Sequence, residues 1–214
     1  MGEHLLDDGT RIALRGITPE DAAELRRGFA RLSPRSRQRR FFSVVGDLST
    51  ETLRYLTEVD GEDHVGIVAT KDSLDLKTEI GVGVARFIRL KEDPEVAEAA
   101  VTIADGMQHK GAGRLLLREL ARVARTKGVR KFRGEILVSN LPMRRLLESV
   151  GAVWASDAAV SSGAPGEQRA HDTLLFEVTI GEEENRRASA LERLLGATAS
   201  AARVFRRTLR LPRA

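Results

Sequence analysis

Residues 96–128 read VAEAAVTIADGMQHKGAGRLLLRELARVARTKG, and this stretch decides the fold. It opens as an apolar run, Val96 to Ala104, that carries one carboxylate, Glu98. It breaks at Gln108-His109-Lys110-Gly111-Ala112-Gly113 and resumes with Leu116, Leu120, Val123 and Ala124 at helical spacing. The pattern predicts a strand, a glycine-containing loop and a helix from Gly111 to Lys127, which Gly128 ends in the left-handed conformation. The first N–H groups of such a helix have no intrahelical partner and sit at the positive end of its dipole. Glycine lets those amides approach a ligand, while Lys110 and Arg114 add positive charge. The stretch therefore reads as a pyrophosphate cradle with a carboxylate upstream. Tight packing explains a bare Gly-x-Gly equally well, and the loop is neither a P-loop nor the three-glycine dinucleotide fingerprint.

The flanking sequence alternates strands and helices. Upstream, Arg11 to Ile17 reads as a strand, and Thr18-Pro19-Glu20-Asp21 carries the signals that start a helix running to Arg31 with Ala22, Leu25 and Phe29 on one side. Ser33-Pro34 begins a second, arginine-rich helix around Phe41 and Phe42, and Ser49 to Val59 a third, with Leu53 and Leu56 inward. His64 to Thr70 and Glu79 to Leu90 are predicted strands of one hairpin, joined by a turn from Lys71 to Lys77. Downstream come a strand over Lys131 to Val138, a short helix opened by Asn140 and Pro142 and closed by Gly151, and strands at Ala152 to Trp154 and Thr173 to Ile180. The small-residue loop DAAVSSGAPGEQRAH lies between those last two. The order predicts an α+β domain around one mixed sheet over residues 1–181, with a basic amphipathic helical tail over 182–214.

Composition narrows the class. A chain of 214 residues with 42% hydrophobic and 31% charged residues can bury a core and is not a disordered composition. It has no cysteine, which excludes disulfides, thiolate zinc sites and a cysteine nucleophile. The four histidines lack ligand spacing, so no metal is expected. There is no run of 18 apolar residues and no signal-peptide pattern, and a cytoplasmic location is expected. Arginine is concentrated between Arg26 and Arg40 and again after Arg186, as a solvated face or as an acceptor-side feature. For the tail, packing or solvation is expected ahead of a membrane contact, and no specific nucleic-acid partner is expected.

The segments TIADGMQHKGAGRLLLREL, FRGEILVSN and PMRRLLESVGAVW carry a resemblance to the GNAT acetyltransferase family over Thr18 to Ala152. ITPEDAAELRRGFARLSPRSRQRRFF and EDPEVAEAAVTIAD are similar to segments of the bacterial protein-lysine acetyltransferases. The resemblance implies a mostly antiparallel central sheet flanked by helices, with a splayed strand pair where acetyl-CoA binds. It implies that the backbone at Val101 and Ile103 pairs with the pantetheine arm. It also implies that Gln108, His109, Lys110, Gly111, Ala112, Gly113 and Arg114 hold the pyrophosphate and that Asn140 approaches the pantetheine or acetyl end, Asn140 reading as a plain N-cap as well.

By the same resemblance Glu98 is the general base of acetyl transfer to a lysine ε-amine, its carboxylate partly desolvated on an apolar strand. The bland alternative for Glu98 is a solvent-facing carboxylate or a pair with Arg86; Glu135 and Asp105 are weaker candidates for the base. A protein substrate is implied, an acyl-CoA synthetase-like enzyme among the candidates. Acetylation of a small amine or a protein N-terminus, or a CoA-binding module without turnover, are the other readings. One departure stands out: the late tyrosine that many family members use as general acid is missing, the chain's one tyrosine being Tyr55.

Overall fold

The computed structural model describes residues 1–41, 46–72, 79–154 and 173–181. The expectations for the 157–171 loop and for the 182–214 tail lie outside the described residues. The chain divides into two units, Met1–Thr179 and Ile180–Ala214, and the first holds every element below.

Two strands, β1 (Gly2–Leu5) and β2 (Arg11–Gly16), precede three helices, α1 (Ala22–Arg31), α2 (Pro34–Phe41) and α3 (Thr50–Thr57). The hairpin β3 (His64–Asp72) and β4 (Glu79–Arg89) follows, then β5 (Val96–Ile103) and α4 (Ala112–Thr126). The chain continues through β6 (Lys131–Leu137), α5 (Leu141–Ser149), β7 (Val153–Trp154) and β8 (Thr173–Thr179). Among the described residues these eight strands form one sheet in the order β1-β2-β3-β4-β5-β6-β8-β7. Only the β5–β6 pair is parallel. Strand β1 has no counterpart in the sequence reading, because four residues with one glycine give no periodic signal. The hairpin runs further than expected: Lys71 and Asp72 pair with Ile80 and Glu79, so they belong to strand and not to turn.

Local chemistry sets the helix starts. Pro19–Asp21 form a 3-10 turn ahead of α1, where the Thr18 N–H donates to Asp21 Oδ2 at 2.9 Å. The Ser49 Oγ caps α3 by accepting from the Thr52 N–H at 3.0 Å. Gly128 and Gly151 follow α4 and α5 at φ 82° and 83°, the left-handed ends that the sequence predicts.

Both faces of the sheet are covered. Leu116 and Leu120 of α4 are fully buried, and α4 packs on β3, β4 and β5. On the other side Phe29, Leu32, Leu48, Leu53 and Leu56 form a second apolar cluster between α1 and α3, with Leu25 and Phe41 packed against it. Among the described residues no helix is long and apolar enough to cross a membrane.

Candidate active site

The sheet opens at its centre. Strands β5 and β6 pair only at Val96 with Lys131, Ala97 with Phe132 and Glu98 with Arg133. Past those pairs β5 stays with β4 as far as Ile103, while β6 stays with β8 as far as Leu137. The edge of β5 from Ala99 to Ile103 therefore has no strand beside it on the β6 side. Such an edge offers its N–H and C=O groups to an extended ligand. Val101 and Ile103 lie on this edge, half-buried.

The loop after β5 is braced at both ends. The Asp105 carboxylate accepts from the Ser33 N–H at 2.7 Å and the Ser36 hydroxyl at 2.6 Å, which ties the loop to the start of α2. Partial burial opposes ionisation of Asp105, but those donors outweigh it and hold the carboxyl below its usual range. Engaged in this way, Asp105 positions the loop. The Gln108 side chain donates to the Ile103 carbonyl at 3.2 Å. His109 at φ 61° and Gly111 at φ 89° both take left-handed conformations, the kind that turns successive amides toward one side.

The two glycines have different reasons. Gly111 is the N-cap of α4 and needs its positive φ. A Cβ on Gly113 would lie 3.1 Å from Leu146 of α5, so there glycine lets two helices approach. The first turn of α4 has no acidic residue and no side-chain cap, Ala112 is buried, and Arg114 is exposed. A Cβ on Gly111 would lie 3.0 Å from an Asp7 carboxylate oxygen, so one anion borders the N-cap, but the helix start itself has no side-chain cap and carries the cation Arg114, which suits an anionic ligand.

The turn between β1 and β2 also reaches the loop. Asp7 N–H donates to the Lys110 carbonyl at 3.1 Å, and Lys110 Nζ pairs with Asp8 at 2.9 Å. The hydrogen bond from Lys110 holds the Asp8 carboxyl well below the usual range. Lys110 is thus a cation already paired with a carboxylate of the chain. Asn140 is buried and caps α5, its Oδ1 accepting from the Met143 N–H at 3.4 Å. Among the described residues its Nδ2 has no partner, so the cap leaves a donor over.

Glu98 stands apart from this loop, at the last paired position before the opening. Its side chain is 60% exposed and lies 3.5 Å from Arg133. Two expectations for its surroundings are corrected and one holds: it is not desolvated, its cationic neighbour is Arg133 on β6 and not Arg86, and it faces solvent as the alternative reading had it. The reason is geometric, since Arg133 is its register partner while β4 sets Ile88 opposite it. Glu135, the one carboxylate of β6, is exposed.

Glu98, Ala100 and Thr102 share the sheet face of Ile88, Arg86 and Val84. On this face Val84, Arg86 and Thr102 join Phe29, Arg40 and Leu56 in lining a cavity of about 100 Å³. Arg86 is 5% exposed and donates to the Leu56 carbonyl at 3.2 Å, with His64 Nε2 3.3 Å away. Burial, then the charge of Arg40, pushes its guanidinium down to about 10. Burial, then Arg86, likewise lowers His64, whose ring lies 5.1 Å from that of Tyr55. Sequence reasoning missed this group, although a signal existed: Arg86 occupies the inward phase of an otherwise apolar alternation, Val82, Val84, Ile88. Among the described residues no group of His, Asp and Glu could hold a metal ion.

The Acetyltransferase (GNAT) domain family matches residues 11–153. Acetyltransferase Pat of Mycolicibacterium smegmatis is 33% identical over 144 residues, which are 67% of this chain and 42% of the relative. This chain therefore spans less than half the length of that relative. Acetyltransferase PA5475 of Pseudomonas aeruginosa is 33% identical over 153 residues, 71% of this chain and 80% of the relative. Among solved structures, the GNAT domain of PAT from S. lividans superposes with a TM-score of 0.71 at 26% identity, covering 83% of this chain and 96% of that one.

Proposed function

This chain belongs to the GNAT acetyltransferase family, and from that premise we propose that it moves acetyl from acetyl-CoA to the ε-amine of a protein lysine, with Glu98 as general base. The observation that carries the reading is the position of Glu98. It closes the paired part of β5 and β6, so it stands where the opening begins and on the face that bears the cavity.

The residues present fit acetyl-CoA. The free edge of β5 from Ala99 to Ile103 suits the amides of an extended arm, and the uncapped start of α4 suits a pyrophosphate. In this reading the amides from Gln108 to Arg114 hold the phosphates, while Asn140 Nδ2 is the donor left for the arm. Bound acetyl-CoA supplies a thioester, an acyl group already activated for transfer.

A lysine ammonium, with a pKa of ~10.4, must lose a proton before its nitrogen can attack. Glu98 accepts that proton, directly or through one water, its exposure keeping it open to solvent. The freed amine forms the amide bond as the C–S bond breaks, and the sulfur leaves as thiolate. N–H groups along the free β5 edge stabilise the charge that develops on the carbonyl oxygen. Tyr55 lies beside His64 on the cavity side of the sheet, and no acid for the thiolate is assigned.

Labelled acetyl-CoA incubated with the cell's soluble proteins tests the reading. Label on lysine side chains is the expected result; label confined to small molecules refutes the protein acceptor. Glu98→Gln should keep acetyl-CoA binding and lower turnover by about 10²–10⁴-fold, the usual worth of a general base. An unchanged rate across pH would remove Glu98 from the mechanism.

A further inference from the structure

The cavity beneath α1 and α3 is lined by two cations, Arg86 buried and Arg40 half-buried, and neither is paired with a carboxylate among the described residues. Arg86 uses two of its five N–H donors, toward the Leu56 carbonyl and His64. The Arg40 guanidinium lies over the Phe41 ring at 5.1 Å and has no hydrogen bond or ion pair among the described residues. Burial lowers both guanidiniums, and each is close enough to the other for repulsion between Arg40 and Arg86 to add to the lowering of Arg86.

The carboxylates that do line the cavity are already taken. Asp21 is held by both terminal nitrogens of Arg15 at 2.7 and 2.8 Å. Glu24 is held by Arg27 at 2.8 Å, by Arg31 at 2.6 Å and by the Gly81 N–H at 2.9 Å. His64, 3.3 Å from Arg86, is no carboxylate either. A buried charge without a counter-ion is costly, and a second cation of like sign on the same cavity adds to the cost at Arg86. Apolar residues of similar size would remove that cost. Leu25, Phe29, Leu56 and Val84 add apolar walls, which would strengthen any charge pairing made inside.

We infer that Arg40 and Arg86 form a carboxylate-binding subsite for the acceptor, seated on the sheet face that bears Glu98. Guanidinium and carboxylate match in planar, two-bond geometry, which suits one carboxylate between two arginines. The inference rests on the acetyl-transfer reading for the role of the cavity, but the carboxylate preference itself does not need turnover. The carboxylate has two chemical sources: an acidic side chain near the target lysine of a protein, or the α-carboxylate of a free amino acid.

Calorimetry with 6-acetamidohexanoate, a product-like amide carrying a carboxylate, and with its neutral carboxamide tests the site directly. The carboxylate should bind at least about 10-fold more tightly, the order expected of one charge-assisted pair. Arg86→Met and Arg40→Met should each abolish that preference. Melting of Arg86→Met separates a binding role from a structural one: an unchanged or raised melting temperature is expected, and a fall with the preference intact overturns the inference. If Arg86→Met fails to fold, the wild-type comparison and Arg40→Met still decide. Equal affinity for the two compounds, or a preference that survives in Arg40→Met, overturns it.

Acceptor kinetics then distinguish the sources. A protein acceptor predicts faster acetylation of the blocked peptide Glu-Lys than of Gln-Lys, whereas an amino-acid acceptor predicts free lysine ahead of both. Carboxylate-selective binding without any acetylation would refute the transfer reading and leave the subsite standing.

Discussion

Gly134→Ala is the sharpest test of the open sheet. Gly134 is the first β6 residue past the pairs that β6 makes with β5. A Cβ placed there lies 2.7 and 2.8 Å from two carbons of the Phe176 ring and 3.0 Å from the Ala99 carbonyl oxygen. Ring carbons can give way by rotation, but the carbonyl belongs to the backbone of β5 and cannot. Relief therefore requires β6 to move away from β5 at the point where the opening begins.

Overpacking of this kind costs about 1–3 kcal/mol. For a chain of this size that is a fall in melting temperature of about 2–12 °C. Acetyl-CoA affinity should fall as well, since the free edge and the neighbouring strand set the width of the cleft. Thermal melts and calorimetry with acetyl-CoA, on Gly134→Ala and on the double variant with Phe176→Leu, separate the two contacts. The smaller side chain should restore part of the stability and none of the affinity. Melting within about 1 °C of wild type, with unchanged affinity, refutes the claim that glycine sets the separation of the strands.

Gly111→Glu should abolish acetyl-CoA binding in calorimetry, since it puts a carboxylate at the start of α4 on a backbone with φ 89°; normal affinity would refute the cradle. Asp8→Asn frees Lys110 from its 2.9 Å pair and should tighten acetyl-CoA binding a few-fold at low salt, with the gain shrinking as salt is added; no change would mean that Lys110 does not face the phosphates. His64 has a folded-state pKa lowered by burial and by Arg86, with Asp60 opposing. The unfolded chain therefore binds the extra proton first, and stability should fall as pH drops below the ordinary histidine value of ~6.5, until the folded-state value is passed. Melting temperatures from pH 7.5 to 5.5 check this. His64→Gln should flatten the slope, and an equal slope in that variant would refute it.

The local structure of the proposed cofactor half was legible because it is made of backbone and lies in one stretch. Gly111 announces a positive φ, Gly128 a helix end and the Leu116–Leu120 spacing a buried helix, each readable within a few residues. Whether Gly113 served packing or binding was not readable, since the Leu146 contact comes from a helix some 30 residues later. The desolvation expected of Glu98 as a base, and its pairing with Arg86, failed for a similar reason, while the solvent-facing alternative held. An apolar strand suggests burial on both faces, but β5 sits at the opening, and its cavity-side position at Glu98 is left to solvent and to Arg133. The arginine group proposed for the acceptor was almost silent, because Arg40, Tyr55, His64 and Arg86 come from α2, α3, β3 and β4 and meet only in the folded chain.

The exposure of Glu98 raises a question that the arginine pair answers. A base is usually strengthened by desolvation, and Glu98 is not desolvated. Proton transfer can be favoured from the other partner as well, by making the ammonium a stronger acid. If Arg40 and Arg86 hold the acceptor's carboxylate, two guanidiniums face one carboxylate, and the remaining positive charge acts on the amine. Arg86 stands opposite Ala100, and Glu98 opposite Ile88, so the two are diagonal neighbours with backbones roughly 7–8 Å apart. A like charge at that distance disfavours the protonated amine. On this argument Arg86→Met should shift the pH–rate profile for a carboxylate-free amine toward higher pH, as well as removing the carboxylate preference. A profile that stays in place would confine the arginines to binding and return the full burden of deprotonation to Glu98.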